Sequence, residues 1–418
     1  MRIAVIGGGI SGMLSWYLLQ QKHQVTLFEA NDYLGGHTAT VDVEIAGKSY
    51  AIDTGFIVFN NWTYPVFNKF INELGVEKLD TEMSFSVKNT EQNLEYNGNT
   101  FASLFAQKRN IFRPSFWRML VDIVRFNKLG KQLVAEDHAD LDLKLGEFLQ
   151  KYRFGDGMRD NYLLPMGAAI WSAGLTEMPL FPVRFFLRFF NNHGLLNLAD
   201  RPQWAVIKGG SKRYVEALIN KLGRQNLRLS QRIASVVRRE QGVTLHFANG
   251  ETEQFDKVVF ACHSDQALAL LGSDATADEQ AILGAIAYQQ NEVVLHTDTR
   301  LLPERRAAWA SWNYNLDAAE RHRATLTYNM NILQRLEAPV TFCVTLNNSN
   351  AIASDKILGR YRYAHPVYNM MTMAAQLQRK VINGQNNSYF CGAYWYNGFH
   401  EDGARSAVDV AAMFGIQY

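Results

Sequence analysis

Three cysteines in 418 residues, Cys262, Cys343 and Cys391, none in CxxC spacing, exclude a disulfide framework and a cysteine zinc site. They are expected as buried free thiols in a reducing compartment. Long apolar runs are missing too. Leu163 to Trp171 is the longest, is interrupted by Pro165 and Gly167, and falls far short of the about 20 residues that span a bilayer. Neither sign of charge prevails, with 42 Lys and Arg against 40 Asp and Glu, and no long basic tract suggests a nucleic-acid partner. The histidines lack metal-ligand spacing and no GxSxG elbow occurs, so neither a metal nor a serine nucleophile is expected. No signal peptide precedes the first strand, and no repeat or low-complexity stretch interrupts the chain. The expectation is a cytoplasmic protein, with at most peripheral contact with the inner membrane face.

What is present is concentrated at the start. Arg2-Ile-Ala-Val-Ile-Gly7-Gly8-Gly9-Ile10-Ser11-Gly12 leads into a helical pattern, and Gln24-Val-Thr-Leu-Phe28-Glu29-Ala30 follows. A strand, a glycine turn, a helix and a second strand ending in a carboxylate form a dinucleotide-binding motif. Gly7 permits the turn, Gly9 lets the backbone approach a pyrophosphate, and Gly12 lets the helix pack on the strand. The helix start, around Ser11, offers free N–H groups and a positive dipole end to phosphates. Glu29 is placed to accept hydrogen bonds from ribose hydroxyls, and its charge would repel the 2′-phosphate of NADP.

The chain is longer than one hydrophobic core usually supports, which predicts two domains. Thr38 to Phe59 reads as a hairpin turning at Gly47-Lys48, closed by Asp53-Thr54-Gly55-Phe56. Helices are predicted over Tyr64–Gly75, Pro114–Gly130, Tyr214–Leu222 and Pro366–Val381, and after Gly403. Residues 140–204 read as irregular and aromatic-rich. Short strands are predicted over Leu227–Phe247, interrupted by Gly242, and buried strands at Lys257–Ala261 and Ser388–Gly392; Tyr288–Tyr363 reads as strands and connections. Nucleotide-like features thus recur at the start, middle and end. The predicted class is α/β: a Rossmann-like domain from residues 1–60, 205–287 and 385–418, interleaved with a mixed α/β substrate domain from 61–204 and 288–384.

The ordered set Gly7–Gly12, Glu29-Ala30, Leu34-Gly35-Gly36-His37, Asp53-Thr54-Gly55, and Gly392 with Gly403 resembles flavin-dependent amine oxidases and phytoene desaturases. Asp53–Phe59, Phe105–Arg109, Leu163–Met166, Asn192–Gly194, Trp309–Tyr314 and Gly398–Gly403 are similar to a bacterial branch of predicted NAD/FAD-binding proteins. That branch often accompanies lipid-methylating enzymes of the cyclopropane synthase type. The resemblance implies FAD, and a long cofactor also explains why distant segments must close one site. It places Gly35, Gly36 and His37 near the pyrophosphate and flavin, Thr54 and Gly55 beside the flavin, and Ile233 at the adenine. Gly392 belongs to the C-terminal strand and turn. Gly403 through Ser406 would begin a helix facing the flavin N1–C2=O edge, where its dipole favours negative charge.

Three departures from the amine oxidases stand out. Gly284–Gln290 has no lysine where they carry one, Phe399 replaces a cage tyrosine, and His37 replaces an arginine. Amine oxidation is therefore not expected. Phe181–Phe190 and Phe116–Phe126, rich in Phe and flanked by Arg and Lys, suggest either a greasy entrance rimmed by cations or ordinary core helices. His193 and Trp171 are further pocket candidates. His400 and Glu401 are the candidate acid/base groups, with Asp402 as a helix cap. A covalent flavin link through His37 or Cys391 stays open. The expected activity is FAD-dependent hydride removal from a C–H bond of an apolar, lipid-type substrate. The alternatives are a redox-neutral double-bond isomerase and a non-catalytic flavoprotein partner of a lipid-modifying enzyme. Oligomeric state is open at this level.

Overall fold

The computed structural model describes residues 1–316 and 325–418; part of the predicted Tyr288–Tyr363 strand region, residues 317–324, lies outside them. A parallel five-stranded sheet runs in the order Leu227–Arg228, Gln24–Phe28, Arg2–Ile6, Lys257–Phe260, Ser388–Phe390. Its strands are short apolar runs because both faces are covered. Alternate residues face opposite ways: Ile3, Val5 and Val259 pack with the helices Ile10–Leu19 and His400–Met413, while Ala4, Ile6 and Val258 face Phe28, Phe247 and Phe390. Five strands from three distant stretches therefore make one sheet.

The other large sheet has seven strands, in the order Ile357–Pro366, Tyr288–His296, Cys343–Leu346, Leu326–Asn329, Trp312–Leu316, Phe85–Asn89, Leu94–Asn97. All its pairings are antiparallel except Trp312–Leu316 with Phe85–Asn89. It shares a large core with the helices Pro114–Ala135, Leu164–Trp171 and Val183–Asn192. The architecture is mixed α/β, as the sequence predicts.

Several boundaries differ from expectation. Residues 140–204 hold helices, because Val183, Phe186, Leu187 and Phe190 follow helical spacing and are buried. The segment after Pro366 is not one helix: Pro366 ends a strand, and Met370–Leu377 and Arg379–Ile382 are separate helices. Gly242 begins the strand Gly242–Phe247, which pairs with Ile233–Arg239. The last helix starts at His400, not after Gly403, because the Asp402 carboxylate accepts the Phe399 N–H at 2.9 Å and caps its own first turn. Cys343 and Cys391 are buried free thiols, and Cys262 is half-buried and free.

Candidate functional site

The opening glycines do different work. Gly7 has φ +110°, and a side chain there would press on the Ala261 carbonyl. A Cβ on Gly12 would lie 1.8 Å from the Gly7 oxygen, so only glycine lets the helix reach the strand. A Cβ on Gly9 would meet nothing within 4 Å. The backbone there faces open space at the start of Ile10–Leu19, a helix with no side-chain cap and no acid in its first turn. Its first N–H groups are thus left for an anion. The second glycine pair closes over the first. Gly35 donates its N–H to the Gly8 carbonyl at 2.9 Å, and Gly36, with φ +58°, lies against the Gly9 Cα.

Glu29 directly follows the neighbouring strand Gln24–Phe28. Its carboxylate accepts the Gly8 N–H at 2.7 Å and the Asn31 N–H at 2.9 Å, keeping lone pairs for ribose hydroxyls. Ala30, beside it, is exposed on the strand's end. Ser230 and Gln231 donate backbone N–H groups to the Asn31 and Glu29 carbonyls, which brings the start of the Ile233 strand to this end of the cradle. At the other end, the Ser11 hydroxyl donates to the Gly403 carbonyl at 2.9 Å, and the Ser406 hydroxyl donates there at 2.7 Å while accepting the Gly392 N–H. First turn and last helix are therefore clamped together by side chains from both.

His400 and Glu401 are both engaged by other protein groups, and neither lines the aromatic cavity described below. Glu401 accepts the Val66 and Phe67 N–H groups, each at 2.9 Å, and so caps the helix Pro65–Glu73. With both oxygens engaged by backbone donors and the side chain buried, it acts as a helix cap. His400 is stacked on Phe56, with ring centroids 3.6 Å apart, and its Nε2 is 2.9 Å from the Tyr214 hydroxyl, which meets Thr38 Oγ1 at 2.5 Å. Burial holds its imidazole well below the ordinary value, so it is neutral. Burial pushes Glu401 and Asp402 the other way, each up to about 7. This wall of the molecule disfavours charge of either sign.

A second cluster escaped sequence reasoning. His37 lies with ring centroids 5.3 Å from His365, 5.4 Å from Tyr363 and 6.0 Å from His263; His263 stacks on Tyr288 at 4.4 Å. Burial lowers His37 and His263 to about 4 and His365 to about 3, and repulsion between the histidines adds to it. Asn347 donates to Asn291 Oδ1 at 2.8 Å, which turns the Asn291 amide to donate to His365 Nδ1 at 2.9 Å. Neutral His365 therefore carries its proton on Nε2. His37 is held by the Ala364 backbone, and its Nε2 is buried without a partner among the described residues. Thr54 Oγ1 meets the Tyr363 hydroxyl at 2.9 Å, and Gly55 packs under the His37 carbonyl. These histidines are far apart in the chain, and only the fold brings them together.

Beyond His365 lies a cavity of about 240 Å³ whose walls include Trp171, Phe181, Val367 and Tyr368, with the Gln289 and Asn291 amides at its polar side. Phe185 stacks on Tyr368, and Phe189 on Phe399, so one side of the helix Val183–Asn192 backs this region while Phe186 and Phe190 enter the core. The expected rim of cations is not there. Arg184 and Arg188 are bound to Asp137 and Asp142 on the surface. Trp171 lines the cavity; His193 does not, being stacked on Phe189 with Nδ1 on its carbonyl. Phe116, Met119 and Phe126 are core residues of an ordinary packed helix.

An anionic dinucleotide fits these residues: the space beside Gly9, the uncapped helix and the orphaned His37 nitrogen all lie on one path from Glu29 to the cavity. Residues 10–330 match the family model for flavin containing amine oxidoreductase, and the chain belongs to that family. It is an FAD-dependent oxidoreductase. Among solved structures, a fatty acid isomerase from P. acnes is similar, with a TM-score of 0.71, 18% identity and 99% of both chains covered. Cyclohexylamine oxidase from Brevibacterium oxydans IH-35A has a TM-score of 0.70 at 14% identity, again over 99% of both chains. Both likenesses concern the fold. A curated relative, 4,4'-diapolycopen-4-al dehydrogenase of Metabacillus indicus, is 33% identical over 84 residues, covering 20% of this chain and only 16% of that protein.

Proposed function

We propose that this flavoenzyme oxidises a C–H bond of an apolar, lipid-type substrate seated between Trp171, Phe181 and Tyr368. The observation that carries the reading is the short path from the glycine cradle to an aromatic cavity: Gly9 against Gly36, His37 next in the chain, His365 one ring away, and the cavity beyond. Bound FAD supplies the hydride acceptor. Gly7, Gly9, Ser11 and Gly12 with Gly35 and Gly36 would hold its phosphates, Glu29 and Ala30 its ribose, and Ile233 its adenine side. Gly403 and Ser406, clamped by Ser11 and Gly392, would close the flavin end together with Thr54, Gly55 and His37.

The chain's own groups do the rest. The aromatic walls exclude water and orient an aliphatic chain by contact. His365, neutral and fixed by Asn291, offers a polar group at the inner end, and His37 Nε2 is an acceptor without a competing partner among the described residues. Among the described residues no lysine lines the cavity, and the carboxylate in its wall, Glu177, is exposed, so the wall itself offers a cationic amine no buried counter-charge. Assignment to the branch that accompanies cyclopropane-synthase-type enzymes, cytoplasmic location, and division into a cofactor and a substrate domain at the boundaries given above are parts of the same proposal. Anaerobic mixing of the FAD-loaded protein with unsaturated and saturated acyl chains tests it. Lasting loss of flavin colour is the expected result. Product without loss of colour would replace oxidation by isomerisation. Neither product nor loss of colour would leave the cavity without a lipid substrate and overturn the reading.

A further inference from the structure

The chain as a whole carries a formal charge of +2, but residues 101–135 hold seven Lys and Arg against a single carboxylate, Asp122. That carboxylate is buried and taken up by Arg125 and the Gly155 N–H. Lys108, Arg118, Lys128 and Lys131 are exposed and make no ion pair among the described residues. Arg109 and Arg113 converge on the same Asn93 carbonyl, so two guanidinium groups are held side by side with no carboxylate bound to either among the described residues. Positive charge is thus concentrated on one surface of a nearly neutral molecule.

The same surface is apolar. Phe112, at the turn before the helix Pro114–Ala135, is 84% exposed, and Phe101 is 76% exposed. Trp117, Val121 and Val124 continue from there at helical spacing along the outer face, opposite buried Phe116, Met119 and Phe126. Ring contacts join the patch: Phe101 to Phe105 at 4.9 Å and Phe105 to Trp117 at 5.4 Å. The indole N–H of Trp117 is already bound to the Ile111 carbonyl at 2.8 Å, so the exposed part of that ring is purely apolar. Aromatic and aliphatic side chains that project among unpaired cations match the boundary between acyl chains and anionic headgroups. A polyanion such as DNA would use the cations and leave Val121 and Val124 in water.

We infer that the face formed by Phe101, Phe112, Trp117 and Val121 docks the protein on an anionic lipid surface. Phe112 and Phe101 insert among acyl chains, while Lys108, Arg118 and Lys128 meet the headgroups. This goes beyond the reaction proposed above and does not depend on it, since docking is read from binding and oxidation from flavin colour.

The test is cosedimentation of the full-length, FAD-loaded protein with phosphatidylcholine vesicles, with and without phosphatidylglycerol. Binding is expected only to the anionic vesicles, weakening as salt is raised. Phe112→Ser combined with Val121→Ser should weaken it by roughly tenfold or more, since each change removes an apolar side chain from the bilayer. Lys108→Glu with Arg118→Glu should abolish it. Leu198→Ser, an exposed leucine outside the patch, should change nothing. All variants should keep the flavin spectrum, which separates lost docking from lost folding. Failure to bind any vesicle, or equal binding by the Phe112→Ser/Val121→Ser variant, overturns the inference. So does binding to double-stranded DNA as tight as to the vesicles.

Discussion

The cofactor cradle and the aromatic cavity are built from different parts of the chain's chemistry. Around Gly7, Gly9, Gly12, Gly35 and Gly36 the work is done by backbone, through N–H groups, carbonyls and the absence of side chains. Around Trp171, Phe181, Tyr368 and His365 it is done by side chains delivered from distant parts of the chain. A backbone site tolerates almost no substitution but needs little long-range coordination. A side-chain cavity tolerates substitution and changes its ligand instead. The difference is sharpest where one residue answers to both, at His37, whose backbone continues the second glycine pair and whose ring faces His365.

The strongest way to break that contrast is at two glycines that are near neighbours in sequence and opposite in what surrounds them. Gly9→Val adds a side chain to open space, so the apoprotein should fold normally while FAD affinity falls at least about 100-fold, near 2.7 kcal/mol. Gly12→Val drives a side chain into the Gly7 carbonyl and should cost more than about 3 kcal/mol of stability, leaving little folded protein. Thermal unfolding and flavin titration distinguish the two. A yellow Gly9→Val protein of normal affinity would remove the cradle from the cofactor.

Acidification probes the boundary between the two regions. His37, His263 and His365 are held neutral by burial at about 4, 4 and 3, against an ordinary 6.5. Between those values the unfolded chain binds protons that the folded one refuses. The stability that these three histidines contribute is therefore greatest above pH 6.5 and falls as pH drops toward 4, by at most about 1.4 kcal/mol per histidine for each pH unit crossed. Buried Glu401 and Asp402 titrate in the opposite sense, so the histidine share is read as a difference: relative to His365→Asn, the apoprotein should lose stability as pH falls through that window. A His365→Asn protein whose melting temperature follows the same course from pH 7 to 4.5 as the unaltered chain would mean that this histidine is solvated.

How much of this was legible follows the same divide. Gly7–Gly12 and Glu29 announce a strand, turn and helix because their spacing is local and each glycine answers a steric demand between near neighbours. The three histidines do not announce a cluster, because 37, 263 and 365 meet only after the two large sheets are in place. The helix Val183–Asn192 was missed in a stretch read as irregular: its apolar residues at 183, 186, 187 and 190 keep helical spacing, but Phe185 and Phe189 on an adjacent face blurred the stripe. His400 and Glu401 drew attention by proximity to the last helix. Proximity in sequence does not say which way a side chain turns: Glu401 turns to a neighbouring helix and His400 into a packed core.

A smaller effect is expected at Tyr368, on the cavity side. Its hydroxyl is buried without a partner among the described residues. Leaving such a group unpaired costs about 1–3 kcal/mol, so Tyr368→Phe should stabilise the apoprotein by about 1 kcal/mol. If substrate satisfies the hydroxyl, the same change should lower kcat/KM about tenfold, mostly through KM, with flavin binding unaltered. Stabilisation with no change in KM would make the hydroxyl a passive feature of the wall, and the contrast with the cradle would then rest on Trp171 and Phe181.

The smallest effect separates a cap from a catalyst. Glu401 accepts two N–H groups at the start of Pro65–Glu73, whereas a glutamine offers one oxygen and turns its amide N–H groups toward the other donor. Glu401→Gln should therefore cost about 1–2 kcal/mol of stability near neutral pH, within the range of lost helix caps. Burial pushes the Glu401 carboxyl from 4.5 up to about 7, so its contribution is complete below pH 4.5 and is lost as pH rises through 7. The variant has no proton to lose there, and the stability gap should narrow as pH rises from 4.5 to about 7. Flavin binding and the pH profile of turnover should both survive. A rate that collapses in Glu401→Gln while the protein stays yellow and folded would return the carboxylate to the chemistry, and would mean that the cofactor's last helix presents a proton acceptor as well as its backbone.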